Sequence, residues 1–320
     1  MPINADKPHL WKADTRASVD QFNQWFMKFA PKAYRETRKK TIESVEQGLT
    51  QTKDLTLITP DIIKGNPAIL PTLRMSTCPP LARDRLIGLA DSSKNLVGTL
   101  EEGKVPPLLS PELLAAHLTR IAEILLRMRD VDIFPWLEEK RRPSKEERYR
   151  SSTIVADRLC GAVAEPIVQN AQEKRQLALI EKYLTARGYK LKAHPADKPL
   201  TQMEPGTFSF RLNVLAKPSK TEAKSVKIPI DAVIQPRTAK LPHFPLLIEA
   251  KSAGDFTNVN KRRKEEAIKI NQLRATYGEQ VVFVLFLCGY FDAAYLGYEA
   301  AEGIDWIWEH RMKALDQLGI

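Results

Sequence analysis

The chain has 320 residues, 43% hydrophobic and 28% charged, with a formal net charge of +10 at pH 7. That length accommodates two domains, or one large domain with an appendage, and the positive excess favours a polyanionic partner, nucleic acid above all. Cys78, Cys160 and Cys288 are far apart and form no CxxC pair, the N-terminus has no basic n-region followed by an apolar stretch, and the longest apolar run, from Val281 to Cys288, is too short to span a bilayer as a helix. These features predict a reduced, cytoplasmic protein with no membrane association.

Residues 1 to about 150 pattern mainly as helices. Asp14 or Ser18 is placed to cap a helix with Phe22, Trp25, Phe26 and Phe29 on its apolar side. A second helix is predicted from Pro31 towards Gln47, stopped by Gly48. Ser110-Pro111-Glu112 combines a hydroxyl cap, a first-turn proline and an acid at the positive end of the helix dipole. Leu114, Leu118, Ile121, Leu125 and Met128 follow at helical spacing. The mixed-charge run EEKRRPSKEERYR, 138–150, reads as a solvated linker or a DNA-contacting arm. The domain boundary is placed here. Residues 1–150 form a helical N-terminal domain for DNA binding or dimerisation, and 151–320 a second domain.

The second half changes pattern. Residues 153–187 read as one long helix, or two broken near Pro166, ended by Gly188. TFSFRLNVLA (207–216), SVKIPIDAVIQ (225–235) and PLLIEAKS (245–252) are strand-like. A polar helix from Asn258 to Thr276 precedes the buried strand VVFVLFLC, and Gly303–Leu318 is predicted as a final helix with Trp306 and Trp308 near its start. A strand meander followed by a helical crossover gives an α/β (α+β) fold: a mixed central sheet flanked by helices.

Two of these strands carry unexpected charge. Strand side chains alternate faces, so Val226, Ile228, Ile230, Ala232 and Ile234 share one side, opposite Asp231. Glu249 and Lys251 point the same way, roughly 7 Å apart. Pairing the two strands can set Asp231 beside them. Half-buried carboxylates need a partner, and two held together repel unless a divalent cation such as Mg²⁺ resolves the repulsion. A lysine nearby can orient or deprotonate a water and stabilise an anionic transition state. These are the parts for phosphodiester hydrolysis. The bland alternative is a salt bridge of Lys251 with Glu249 or Asp231 on a solvated face.

At these residues the sequence resembles a known group. Asp231, with Pro229 two residues before it, and Glu249-Ala250-Lys251 resemble the PD-(D/E)XK nuclease motif. In that family proline directly precedes the aspartate; here Ile230 intervenes. The order helix, three strands, helix, strand is similar to that superfamily's restriction-endonuclease-like core. More specifically, Ile228 to Trp308, with IEAKSAGDFTNVNKRRKEEA, FLCGYFD and EGIDWIWEHR, resembles the XamI family of type II restriction endonucleases. The (D/E)XK tripeptide is common by chance; the long stretch after Lys251 is the specific part.

The resemblance implies Mg²⁺-dependent cleavage of double-stranded DNA within a short, palindromic sequence. It implies metal binding by Asp231 and Glu249, and action of Lys251 on the nucleophilic water. Many relatives add an acid from the helix before the sheet. Glu173 is the candidate because it falls on the stripe of Val163, Leu177, Ile180 and Leu184, with Glu165 the alternative and a surface glutamate the bland reading of either. Asn258, Asn260, Lys261, Arg262, Arg263 and Lys264 open the helix after the third strand. They are candidates for phosphate or guanine contacts, against a charged helix surface. Gln272 stays open between a polar site contact and an exposed helix position.

Scattered histidines give no zinc spacing, and no P-loop or nucleophile elbow is present. A repair or structure-specific nuclease on the same core, or a non-catalytic DNA-binding protein, remain alternatives. One Asp231/Glu249/Lys251 site cuts one strand, so cutting both strands of a palindrome predicts a two-fold homodimer. Trp25, Phe26, Phe29, Phe134 and Trp136 serve either its interface or the domain's own core. A cognate DNA methyltransferase is expected in the same system, but not as a stable subunit.

Overall fold

The computed structural model describes residues 2–161, 164–195, 198–217, 225–254 and 259–320. They fall into two compact units, one of residues 31–167 and one of residues 1–30 with 168–320. Helix α1 (Pro8–Gln51) begins in one unit and ends in the other. It is a single helix with Pro31 inside it, where the sequence predicted two. Asp14 and Ser18, expected as caps, lie buried within it, because Asp14 has an ion pair with Arg311 (2.7 Å) and Ser18 accepts the Gly289 N–H (2.8 Å).

The 31–167 unit is helical: short helices α2 (Pro60–Gly65), α3 (Leu70–Met75), α4 (Arg83–Leu89) and α5 (Lys94–Glu101), then α6 (Pro111–Arg127) and α7 (Lys145–Gly161). The predicted start of α6 is present, with Ser110 Oγ accepting the Leu113 N–H. Within the 138–150 charge run, Ser144 and Glu147 form a reciprocal capping box that begins α7. Phe134 and Trp136 are fully buried in this unit's core with Val45, Leu73, Leu118 and Ile121. They are core residues rather than interface aromatics. The compact units therefore divide at 30/31 and 167/168, whereas the charge run pointed to 150.

The other unit is built on a six-stranded mixed sheet. It contains α8 (Ala164–Thr185, from Val168 on), β1 (Lys190–Leu191), β2 (Thr207–Ala216), β3 (Val226–Ile234), β4 (Leu246–Ala253), α9 (Val259–Tyr277), β5 (Phe283–Gly289), α10 (Ala293–Ala301) and β6 (Asp305–Trp308). Spatial order follows sequence order; β3 pairs antiparallel with both β2 and β4, and the remaining pairs are parallel. Ile270 and Leu273 of α9 and Leu296 of α10 cover one face with Leu247, Leu285, Leu287 and Trp306. Leu177, Ile180 and Leu184 of α8 cover the other with Ile248, Val284, Phe286 and Ile307. Covered on both faces, β5 is buried throughout, as its unbroken apolar sequence requires.

Two details depart from the sequence expectations. The final segment is not one helix: Asp305–Trp308 pairs with β5 as β6, because Trp306 and Trp308 face one cluster and Ile307 the other, and Glu309–Leu318 follows as 3₁₀ turns. The strict alternation read in β3 also breaks. Ile228 and Ile230 pack on the α9 side, but Ala232 and Ile234 pack on the α8 side. The partner strand switches in step, with Phe208 and Phe210 on the α8 side and Leu212, Val214 and Ala216 on the α9 side. Both switches occur where Arg211 lies across from Asp231, and Arg211 has φ +52°.

The first residues are part of the sheet unit. The Asn4 and Ala5 N–H groups donate to the Asp305 carboxylate at 3.0 and 3.1 Å, and Trp11 meets Trp306 edge-on at 5.5 Å. No helix among the described residues is long and apolar enough to cross a membrane.

At the end of β5, Gly289 has φ +102°, and a Cβ there would lie 2.0 Å from the Ala253 carbonyl oxygen. Only glycine fits. Gly289→Ala is expected to cost more than about 3 kcal/mol of stability. Gly88→Ala, with nothing within 4 Å of the added carbon, should change it by less than about 1 kcal/mol. Denaturation curves of the two variants check the contrast.

Candidate active site

The β3–β4 ladder runs from Ile234↔Leu246 to Ala232↔Ile248. Just past its end, the Ala250 N–H donates to Asp231 Oδ2 at 2.8 Å. The aspartate thus satisfies a backbone group where the strands stop pairing, and its carboxylate is held beside β4. Glu249 and Lys251 share the parity of Leu247 and Ala253, so they face α9. Lys251 Nζ is 3.0 Å from Glu249 Oε1 and 3.0 Å from Glu266 Oε1 on α9. Lys269, one turn further along α9, also bonds Glu249 Oε1 through its ammonium. The structure therefore brings Asp231, Glu249 and Lys251 together.

Glu266 and Lys269 were not foreseen. The charged opening of α9 reads as DNA contacts or, failing that, a charged helix surface. Yet Glu266 is fully buried on the same stripe as Ile270 and Leu273, at i, i+4 and i+7. That spacing was the available signal. Gln272 is half-buried.

Burial raises the Asp231 pKa to about 6, aided by the negative charges of Glu249 and, more weakly, Glu173, against the Ala250 N–H and Lys251. Burial works against the Lys251 ammonium, but Glu249 and Glu266 outweigh it and lift its pKa above the ordinary lysine value. Burial also raises the pKa of Glu266, opposed by Lys251. Glu249 Oε1 takes both ammonium groups, whereas its buried Oε2 has no hydrogen-bond partner. A destabilised Asp231 carboxylate beside this unpartnered oxygen fits an oxygen-liganded divalent cation. Among the described residues no three acidic, histidine or cysteine side chains cluster for a metal, so the donors offered are this pair.

Glu173, on α8, sits within electrostatic reach of Asp231 but is engaged by Arg211, whose Nη2 and Nε lie 2.7 and 3.1 Å from Glu173 Oε1. The Glu165 side chain and Asn258 lie outside the described residues. Asn260, Lys261, Arg262 and Arg263 fall in α9, with side chains outside those described, and Lys264 is exposed. His243 is structural: its Nδ1 is 3.1 Å from Gln235 Oε1.

The pKa of Asp231 in the folded chain, about 6, stands above its ordinary value of 3.8. Between those two values the folded protein thus holds a proton that the unfolded chain releases. The stability this contributes is fully present below pH 4 and is lost as pH rises through 6. In EDTA at pH 7.5, Asp231→Asn should be more stable than the parent, by on the order of 2–3 kcal/mol. The difference should vanish below pH 4. Urea titrations across that range check it.

The sequence pattern of the XamI restriction endonuclease family matches residues 53–308. The chain is 55% identical over 317 residues to the type II restriction enzyme SalI of Streptomyces albus G, covering 99% of each chain. No solved structure matches. A match across four-fifths of the chain, together with full-length similarity to a restriction enzyme, makes this chain a member of the XamI restriction endonuclease family.

Proposed function

We propose that this chain is a type II restriction endonuclease that hydrolyses phosphodiester bonds of double-stranded DNA at a short palindromic sequence, with Mg²⁺ as cofactor. The observation that carries the reading is the Asp231–Glu249–Lys251 cluster where β3 and β4 part, in a chain of this family. Asp231 and Glu249 would hold the metal. Once bound, it would lower the pKa of its water and neutralise charge developing on the phosphate. Lys251, held by Glu249 and Glu266, orients the attacking water and donates to the phosphate oxygen. Glu266 fixes the direction of that ammonium from α9. Glu173 is the further acid, reaching Asp231 by charge from α8.

Asn258, Asn260, Lys261, Arg262, Arg263 and Lys264 supply DNA contacts at the start of α9. The helical unit, residues 31–167, contributes to DNA binding or dimerisation, and the sheet unit, residues 1–30 with 168–320, carries the nuclease. The protein works in the cytoplasm as a homodimer, with a separate methyltransferase protecting the same sequence.

Purified protein with a mixed-sequence plasmid and Mg²⁺ or Mn²⁺ should give discrete bands, and none in excess EDTA. Asp231→Asn, Glu249→Gln and Lys251→Ala should each cut at least about 100-fold more slowly while retaining duplex binding. Random nicking, or a near-parental rate in Lys251→Ala, would defeat the proposal. Sedimentation of Asp231→Asn with a duplex carrying the mapped site should show two chains per duplex; one chain at saturation would remove the dimer.

A further inference from the structure

We infer that Arg211 is a phosphate-binding residue of the same site, contacting the DNA strand at or beside the bond that is cut; the inference rests on the reading of the site just given. Three independent observations meet at this residue. First, Arg211 has φ +52° in the interior of β2, whereas the other five non-glycine residues of positive φ among those described sit in turns. A glycine would take up this backbone without strain, so the position is kept for the arginine side chain. Second, Arg211 stands across the ladder from Asp231, between the pairs Phe210↔Ala232 and Leu212↔Ile230, where both strands switch clusters. The positive-φ residue thus stands opposite the carboxylate assigned to the metal, and its guanidinium meets Glu173 of α8. Third, its side chain remains 60% exposed, and its partner is Glu173, whose charge reaches Asp231.

Glu173 holds the guanidinium through a single oxygen, Oε1. The geometry therefore leaves guanidinium N–H groups to solvent. A planar guanidinium suits the paired oxygens of a phosphodiester better than an ammonium does. In the DNA complex Arg211 bridges Glu173 and a phosphate oxygen, fixing that phosphate opposite Asp231 and Glu249.

The test uses the full-length protein and a duplex carrying the cleavage site mapped on plasmid. Duplex affinity in EDTA is measured against salt for the parent, Arg211→Gly and Arg211→Lys. Arg211→Gly should unfold at the same or a higher temperature than the parent. It should lower the slope of log K against log salt by about one and slow cleavage by about 100-fold. Arg211→Lys should keep the slope but recover only part of the rate. An unchanged slope with a parental rate in Arg211→Gly overturns the inference, as does a lowered unfolding temperature with an unchanged slope. The slope is read without cleavage and so is separate from the assignment of Asp231: an Asp231→Asn protein that still cuts overturns that assignment instead.

Discussion

Glu249 is nearly buried on a strand covered by helices, and a carboxylate there is unfavourable unless cations accompany it. The arrangement around it follows from that constraint. Lys251 reaches it from the same strand, two residues on, and Lys269 reaches it from α9. Lys251 is itself buried enough to need a second acid, and Glu266 of α9 supplies it. Each charge thus recruits the next, and the chain of pairs fixes the docking of α9 on the sheet more narrowly than the apolar contacts of Ile270 and Leu273 alone. Asp231 is the group the sequence of pairings leaves short. It has one backbone N–H and no ion pair among the described residues, and its raised pKa expresses that deficit.

The legible part of the site is the part that obeys period two. Leu247, Glu249, Lys251 and Ala253 keep one parity along β4, so the common direction of Glu249 and Lys251 could be read directly. Asp231 could be read only as a strand residue, because its actual environment depends on where the β3–β4 ladder ends and on the switch of clusters opposite Arg211. Neither is written in local alternation. An arginine in left-handed backbone conformation inside a strand carries no sequence signal, unlike a glycine or asparagine in a turn. Glu266 and Lys269 were hidden for another reason. A helix whose buried stripe contains charges reads as polar all round, and the compensation becomes visible only when the facing strand is known.

The fold shows the same division. The meander was readable from its strand-like runs, and β5 because both its faces are buried and its composition says so. The last strand was not: four residues, Asp305–Trp308, are too few to display a period, and only their pairing with β5 defines them. Nor was it foreseeable that the first thirty residues belong with the sheet. Their attachment is long-range, through the Asp305 carboxylate, the Trp11–Trp306 contact and the Asp14–Arg311 pair. Residues far apart in sequence leave no mark of their meeting in either segment.

The electrostatics of the site bear on the order in which its ligands arrive. Asp231, Glu249, Glu266 and Glu173 face three cations, Lys251, Lys269 and Arg211, so the site is negative by one when all are ionised, on a chain that is positive by ten. A net positive chain would favour DNA, and Arg211 would offer a phosphate a contact without metal, while the Asp231 and Glu249 carboxylates would disfavour a phosphate beside them until a cation enters. A cation alone would, on the proposed function, compete with Lys251 and Lys269 for Glu249 Oε1, so Oε2 and Asp231 would be its first footholds. A phosphate beside the metal would add an oxygen ligand that Mg²⁺ favours, and would offer the displaced ammonium groups a second anion. On that proposal, metal and DNA would strengthen each other's binding, and by linkage the coupling would be equal in both directions.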